Sequence, residues 1–116
     1  MSIRLLIVEG EESIREMLSA YFQGRGWDVE DAGSFQKALE RLDQVDAIVV
    51  SQRLIDGSGA QLVKQGKSQG VVMVALTAFP TVTEVLELYQ AGAFSVFNKP
   101  FRLKEVFDAL QEGLQE

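Results

Sequence analysis

Apolar and polar residues alternate in blocks along this chain. Five short runs rich in apolar and β-forming residues stand out: IRLLIV (3–8), DVEDA (28–32), DAIVV (46–50), VVMVAL (71–76) and FSVF (94–97). Three of them are continuously apolar, as strands covered on both faces are. DVEDA is polar and short, which suits the edge of a sheet. Between the runs the apolar period changes to that of a helix. Ile14, Met17, Leu18 and Tyr21 share one face of a first helix that Gly24 and Gly26 end. Ser34 is placed to cap a second, which buries Phe35, Ala38, Leu39 and Leu42. Leu62 and Val63 mark a short third helix before Gly66. Thr81 and Glu84 spell a capping box, T-x-x-E, opening a fourth with Val82, Val85, Leu86 and Tyr89 expected inward and Gly92 as its stop. Leu103, Val106, Phe107, Leu110 and Leu114 form the last apolar stripe.

Five strand–helix alternations with crossovers of this length imply parallel strands and a three-layer α/β sandwich. No linker, repeat or low-complexity segment breaks the pattern, so one domain over 1–116 is expected. The 116 residues are enough for one core and too few for two.

Composition narrows the chemistry. A net charge of −6 argues against a surface that grips phosphate backbones, so direct nucleic-acid binding is not expected. The chain has no cysteine, which removes disulfides and thiolate metal sites. It has no histidine, which removes serine–histidine catalysis and any phosphohistidine relay within this chain. No apolar run approaches the roughly 20 residues needed to span a bilayer. The opening MSIRLLIVEG turns acidic too soon for a signal peptide, so a cytoplasmic location away from membranes is expected.

In sheets of this kind, sites form where the strands end, at their C-terminal tips. That rule selects Glu9, Gly10, Ser51, Thr77 and Lys99, each just past or at the end of an apolar run. Four motifs surround these positions in order: LLIVEGEES, IVVSQRLIDGSG, VALTA and FSVFNKPF. Together they resemble the receiver domain of bacterial response regulators, the CheY-like family, over the whole chain. The resemblance implies a flavodoxin-like three-layer sandwich with a five-stranded parallel sheet, order 2-1-3-4-5, and five helices. It also implies an aspartate after strand three that accepts a phosphoryl group, and here Ser51 stands in that place. The second acidic residue after strand one binds Mg²⁺ directly in the family, and here it is Gly10. Glu9 keeps the first carboxylate on a longer stem. Thr77 and Lys99 match the family's hydroxyl and lysine, Phe97 is assigned to its aromatic switch, and Pro100 to a position where a cis Lys-Pro bond is frequent.

These departures matter chemically. Mg²⁺ takes near-octahedral oxygen ligands, usually including one or two carboxylates. Ser51 offers a neutral oxygen and Gly10 no side chain. A serine hydroxyl also needs an adjacent base before it attacks phosphorus. No metal, cofactor or catalytic residue is therefore expected, and no acyl-phosphate by the family route. The structural readings are plainer. Lys99 pairs with Glu9 or fixes the loop before Pro100. Thr77 bonds Ser51 or a backbone group. Phe97 is a fixed core or rim aromatic, and Asp46 and Asp56 are structural. Glu11 and Glu12 favour the positive end of the first helix. Trp27 packs at that helix's exit, and Lys64, Lys67 and Arg102 are solvated.

The expected function is a phosphorylation-independent pseudo-receiver that binds protein partners in bacterial signal transduction. The face of helix four, strand five and helix five is the expected surface, with Leu88 exposed on it. The alternative is a receiver-fold sensor that takes a small ligand or anion in the vacated pocket, anchored by Lys99 and Thr77. An enzyme or flavin carrier on the same fold is disfavoured, because the acidic EGEES loop repels phosphate. The sequence names no partner and no oligomeric state. Its end at the fifth helix fits a free-standing chain or a piece of a longer one.

Overall fold

The structure is a computed structural model that describes residues 2–115. Five parallel strands form the central sheet: β1 (Arg4–Val8), β2 (Asp28–Ala32), β3 (Ala47–Ser51), β4 (Val72–Thr77) and β5 (Ser95–Asn98), in the order β2-β1-β3-β4-β5. Each starts and ends within a residue or two of the run that predicts it. The acidic β2 lies at one edge, as its composition suggests. The helices are α1 (Glu12–Gln23), α2 (Phe35–Leu39), α3 (Gly59–Lys67), α4 (Val82–Ala91) and α5 (Leu103–Gln115).

Because side chains alternate across a strand, each strand feeds both layers. Leu5, Ile7, Ala47, Val49, Val74 and Leu76 point to the α1–α5 side, where they join Leu18, Phe22, Val106 and Leu110. Leu6, Val8, Ile48, Val50, Met73 and Ala75 point to the other side, with Ala38, Leu62, Val63 and Leu88 from α2, α3 and α4. Burying a side chain of this size stabilises by about 1.5–3 kcal/mol before chain entropy is subtracted. Trp27 completes an aromatic group with Phe22 and Phe107, at centroid distances of 5.0 and 5.4 Å.

Local chemistry sets the helix starts. Ser34 accepts a hydrogen bond from the Lys37 N–H at 3.3 Å, and the Asp56 carboxylate receives the Phe35 and Gln36 N–H groups at 2.7 and 3.0 Å. Asp56 is thus structural: it ties the loop after β3 to the start of α2. Asp46 sits at the far end of the sheet, paired with Arg4 at 3.2 Å. The reciprocal capping box falls at Ser58 and Gln61, opening α3. At α4 only half of the expected box forms. Thr81 accepts the Glu84 N–H at 3.1 Å, but the Glu84 carboxylate turns to Thr77 instead.

Three expectations are corrected. Helix α3 runs through Gly66 instead of ending before it, and Gly66 lets the helix lie against the Met73 sulfur. The second apolar segment is a five-residue helix, with Leu42 in a separate 3₁₀ turn (Leu42–Gln44). Helix α4 is rotated from the expected orientation. Leu88 is fully buried, not exposed, whereas Val82, Leu86 and Tyr89 are 84, 52 and 46 % exposed, not inward. Gly92 ends α4 with φ 120°, a backbone that side-chain-bearing residues rarely adopt, and the Lys67 stem lies across it.

Candidate functional site

The tips of β1, β3, β4 and β5 converge on one crevice. Glu9 follows β1, with its N–H held by the Ala32 carbonyl at 3.1 Å. Ser51 is the last residue of β3 and Thr77 the last of β4. Lys99 follows β5, its N–H donating to the Thr77 carbonyl at 2.8 Å, and the Lys99–Pro100 bond is cis. Continuous apolar strands bury these polar residues: Glu9 is 3 %, Ser51 1 % and Thr77 2 % exposed.

Glu9 is the hub. Its Oε1 accepts a hydrogen bond from Lys99 Nζ at 2.6 Å and another from the Ser51 hydroxyl. Its Oε2 accepts the Glu11 N–H at 2.9 Å. Burial by itself raises the Glu9 pKa, but the bonds from Lys99, Ser51 and the Glu11 amide outweigh it and hold the carboxyl below its ordinary value of 4.5. A second cation serves the same residue from behind: Arg15 Nη1 donates to the Glu9 carbonyl at 2.8 Å.

Thr77 faces away from Ser51. Its hydroxyl donates to the Glu84 carboxylate and accepts the Phe79 N–H at 3.1 Å. Gly10 is exposed beside the crevice, and the nearest atom to a Cβ built there is the Gly33 carbonyl oxygen at 3.9 Å. Gly59 closes the floor. A Cβ there would stand 2.8 Å from the Ser51 carbonyl oxygen and 2.9 Å from Gln52 Cα.

Of the five residues selected from the strand tips, Glu9, Ser51 and Lys99 join through their side chains, Thr77 meets Lys99 through the backbone alone, and Gly10 lies beside them. Phe97 and Leu88 do not join them. Phe97 is half-buried on the α1–α5 side of the sheet, and its neighbour Val96 is the residue turned toward the α2–α4 layer. The position that faces α4 thus carries an aliphatic side chain, and an aromatic reaches it from the helix: the Tyr89 hydroxyl accepts the Val96 N–H at 3.2 Å. Sequence reasoning missed Arg15, whose spacing of six from Glu9 carries no special signal. It also assigned Glu84 to a cap, because T-x-x-E does not reveal that a nearer hydroxyl competes for the carboxylate.

The donor set does not fit a divalent cation. The one buried carboxylate among the described residues is already surrounded by an ammonium, a hydroxyl and an amide N–H, and Gly10 contributes no oxygen from a side chain. Among the described residues no cluster of three or more Asp, Glu, His or Cys is placed to hold a metal. Nor does Glu9 suit Ser51 as a general base. Its carboxyl is held below the ordinary value, which weakens it as a base, and Ser51 is almost entirely buried.

A parallel sheet in this order, with carboxylate, hydroxyl and lysine at its strand tips, defines the receiver class of signalling domain. Comparison with known proteins agrees. Residues 5–111 match the model of the response regulator receiver domain, and the chain belongs to that family. It is 33 % identical to the response regulator MprA of Mycobacterium ulcerans over 99 % of its length, and 29 % identical to the regulatory protein AtoC of Escherichia coli over 97 %. The chain spans about half of MprA (51 %) and a quarter of AtoC (25 %). Among solved structures, a putative response regulator from Chloroflexus aurantiacus superposes with a TM-score of 0.89 at 26 % identity, each chain fully covered. A CheY-like receiver from Methanospirillum hungatei gives 0.93 at 19 %, covering 99 % of this chain and 95 % of its own, a likeness of fold. Among the described residues no helix is long and apolar enough to cross a membrane.

Proposed function

We propose that this receiver domain has left phosphotransfer and works as a constitutive protein-binding module in two-component signalling. One observation carries the reading: the Glu9 carboxylate, the sole buried acid of the crevice among the described residues, is satisfied by Ser51, Lys99 and the Glu11 amide. The lysine that would meet a phosphoryl group is committed to a carboxylate. The residue that would attack is a shielded hydroxyl with a weak base. A ligand shifts a two-state domain only through different affinity for its two states. With no phosphoryl group bound, the sequence alone sets the equilibrium.

The surface that supports binding is the outward stripe of α4. Val82, Leu86 and Tyr89 follow an i, i+4, i+7 spacing, and Phe79, 55 % exposed, extends it toward the crevice. This stripe takes the role expected of Leu88. The ligand-sensing alternative loses support from the same geometry, since its two anchors, Lys99 and Thr77, are already bonded to Glu9 and Glu84.

Amide NMR spectra with Mg²⁺ and either beryllofluoride or acetyl phosphate test the proposal. The expected result is an unchanged spectrum. Saturable shifts at Ser51, Thr77 and Lys99 would overturn it.

A further inference from the structure

Thr77 has one hydroxyl proton, and a hydroxyl can donate it to one acceptor at a time. Here the acceptor is Glu84, on the first turn of α4. The Thr81 N–H, which a full capping box would offer to Glu84, already donates to the Phe79 carbonyl at 2.8 Å. That leaves the half-buried Glu84 carboxylate free to reach across to the tip of β4. A second bond fastens the same helix about one and a half turns on. Val96 lies on the edge strand, and its N–H, which no neighbouring strand takes up, donates to the Tyr89 hydroxyl at 3.2 Å. The two bonds join α4 to adjacent strands at separate points, one at β4 and one at β5.

We propose that Glu84 and Tyr89 form a two-point clamp that holds α4 in one seat on the sheet, with Glu84 as its release point. Any acceptor arriving in the crevice competes with a charged carboxylate for the Thr77 proton. Charge-assisted bonds of this kind are roughly twice as strong as neutral ones, so Glu84 holds the proton away from the crevice. The clamp keeps the exposed stripe of Val82, Leu86 and Tyr89 in a fixed orientation whether or not a partner is present. The inference deepens the interaction-module reading by naming how the surface is held, but the bonds themselves do not depend on whether the crevice accepts a phosphoryl group.

Hydrogen–deuterium exchange on the whole chain tests it, with wild type compared against Glu84→Ala, Glu84→Gln and Tyr89→Phe. With Glu84→Ala, amides over residues 77–86 should exchange about tenfold faster, the factor for losing one net hydrogen bond of about 1.4 kcal/mol. Glu84→Gln keeps the shape and should give a smaller rise in the same segment. Tyr89→Phe should accelerate the Val96 amide, with β1 and β3 unchanged. Unaltered exchange over 77–91 in both Glu84 variants overturns the clamp. So does an equal acceleration across every strand, which would make Glu84 a contributor to global stability only. No phosphodonor is present, so labelling of the wild type by acetyl phosphate would defeat the functional reading and leave this result standing.

Discussion

Glu9 shows how a deeply buried carboxylate is satisfied by its neighbours. A carboxylate buried this deeply is costly without partners, and the cost of stranding one is about 3–5 kcal/mol. Lys99, 23 % exposed, supplies the charge, while Ser51 and the Glu11 amide supply further donors. Lys99→Met should therefore lower stability by about 3 kcal/mol in urea unfolding. The pH profile separates charge from packing. In the wild type the folded Glu9 pKa lies below 4.5, so its contribution is full above that value and fades as pH falls through the folded pKa. In Lys99→Met the lowering contributed by the lysine is lost, so the folded pKa should rise and the stabilisation carried by the ionised carboxylate above it should shrink. The stability gap between the proteins should be wide at pH 7 and narrow at pH 4. A gap of equal size at both would mean that Lys99 acts through packing alone.

At the scale of elements, the strands were the most legible part of the sequence. Short continuous apolar runs bounded by helical patterns suit strands covered on both faces, and each strand lies within a residue or two of its expected place. The facing of helix α4 was not legible, although its ends at Thr81 and Gly92 were, for a specific reason. TVTEVLELYQAG carries two overlapping helical stripes, 82-86-89 and 85-88, each with good 3.6 periodicity. Hydrophobicity cannot rank them, and tertiary contacts do: Leu88 enters the core, while the heavier stripe is left outward. Phe97 is a similar case. A one-residue step along a strand changes sheet face, so assigning it to the α4 side placed it one register away from Val96. The crevice residues were found because strand ends are fixed by the runs themselves, whereas the Thr77–Glu84 bond depends on a helix position that no local pattern encodes.

The loop after β3 also acts at this scale. Asp56 satisfies two backbone N–H groups at the start of α2, and its carboxyl is held below the ordinary range chiefly by the Gln36 N–H. Asp56→Ala should lower stability, as the loss of a helix cap does. The measurement is a urea midpoint, paired with faster exchange at Phe35 and Gln36. Gly59→Ala should be destabilising by about 1–3 kcal/mol, because the added methyl meets the Ser51 and Gln52 backbone, which cannot swing aside as a flexible chain end could. A melting temperature equal to wild type in Gly59→Ala would show that α3 can slide away from β3.

For the whole molecule, the scaffold and the chemistry of its strand tips can be tested separately. The sheet order, the strand tips and the family match are those of a receiver, while Gly10 and Ser51 stand where the family resemblance implies carboxylates. Gly10 has room for a side chain, with 3.9 Å to the nearest backbone oxygen. The double substitution Gly10→Asp with Ser51→Asp should then rebuild a carboxylate cluster around Glu9. Without a cation, three acids would share Lys99, and like charges at this distance repel. The apo double variant should melt below wild type. Adding Mg²⁺ should reverse this, because an ion that binds only the folded state stabilises it by about 2.7 kcal/mol at a hundred times its dissociation constant. Wild type should show no such response in the same titration. Ser51→Asp alone should be destabilised and respond weakly, since one of the two added ligands is missing. If the double variant ignores Mg²⁺ while remaining folded, the Arg15 and Lys99 contacts to Glu9 have closed the crevice more deeply than two substitutions can undo, and releasing Lys99 from Glu9 becomes the next step to test.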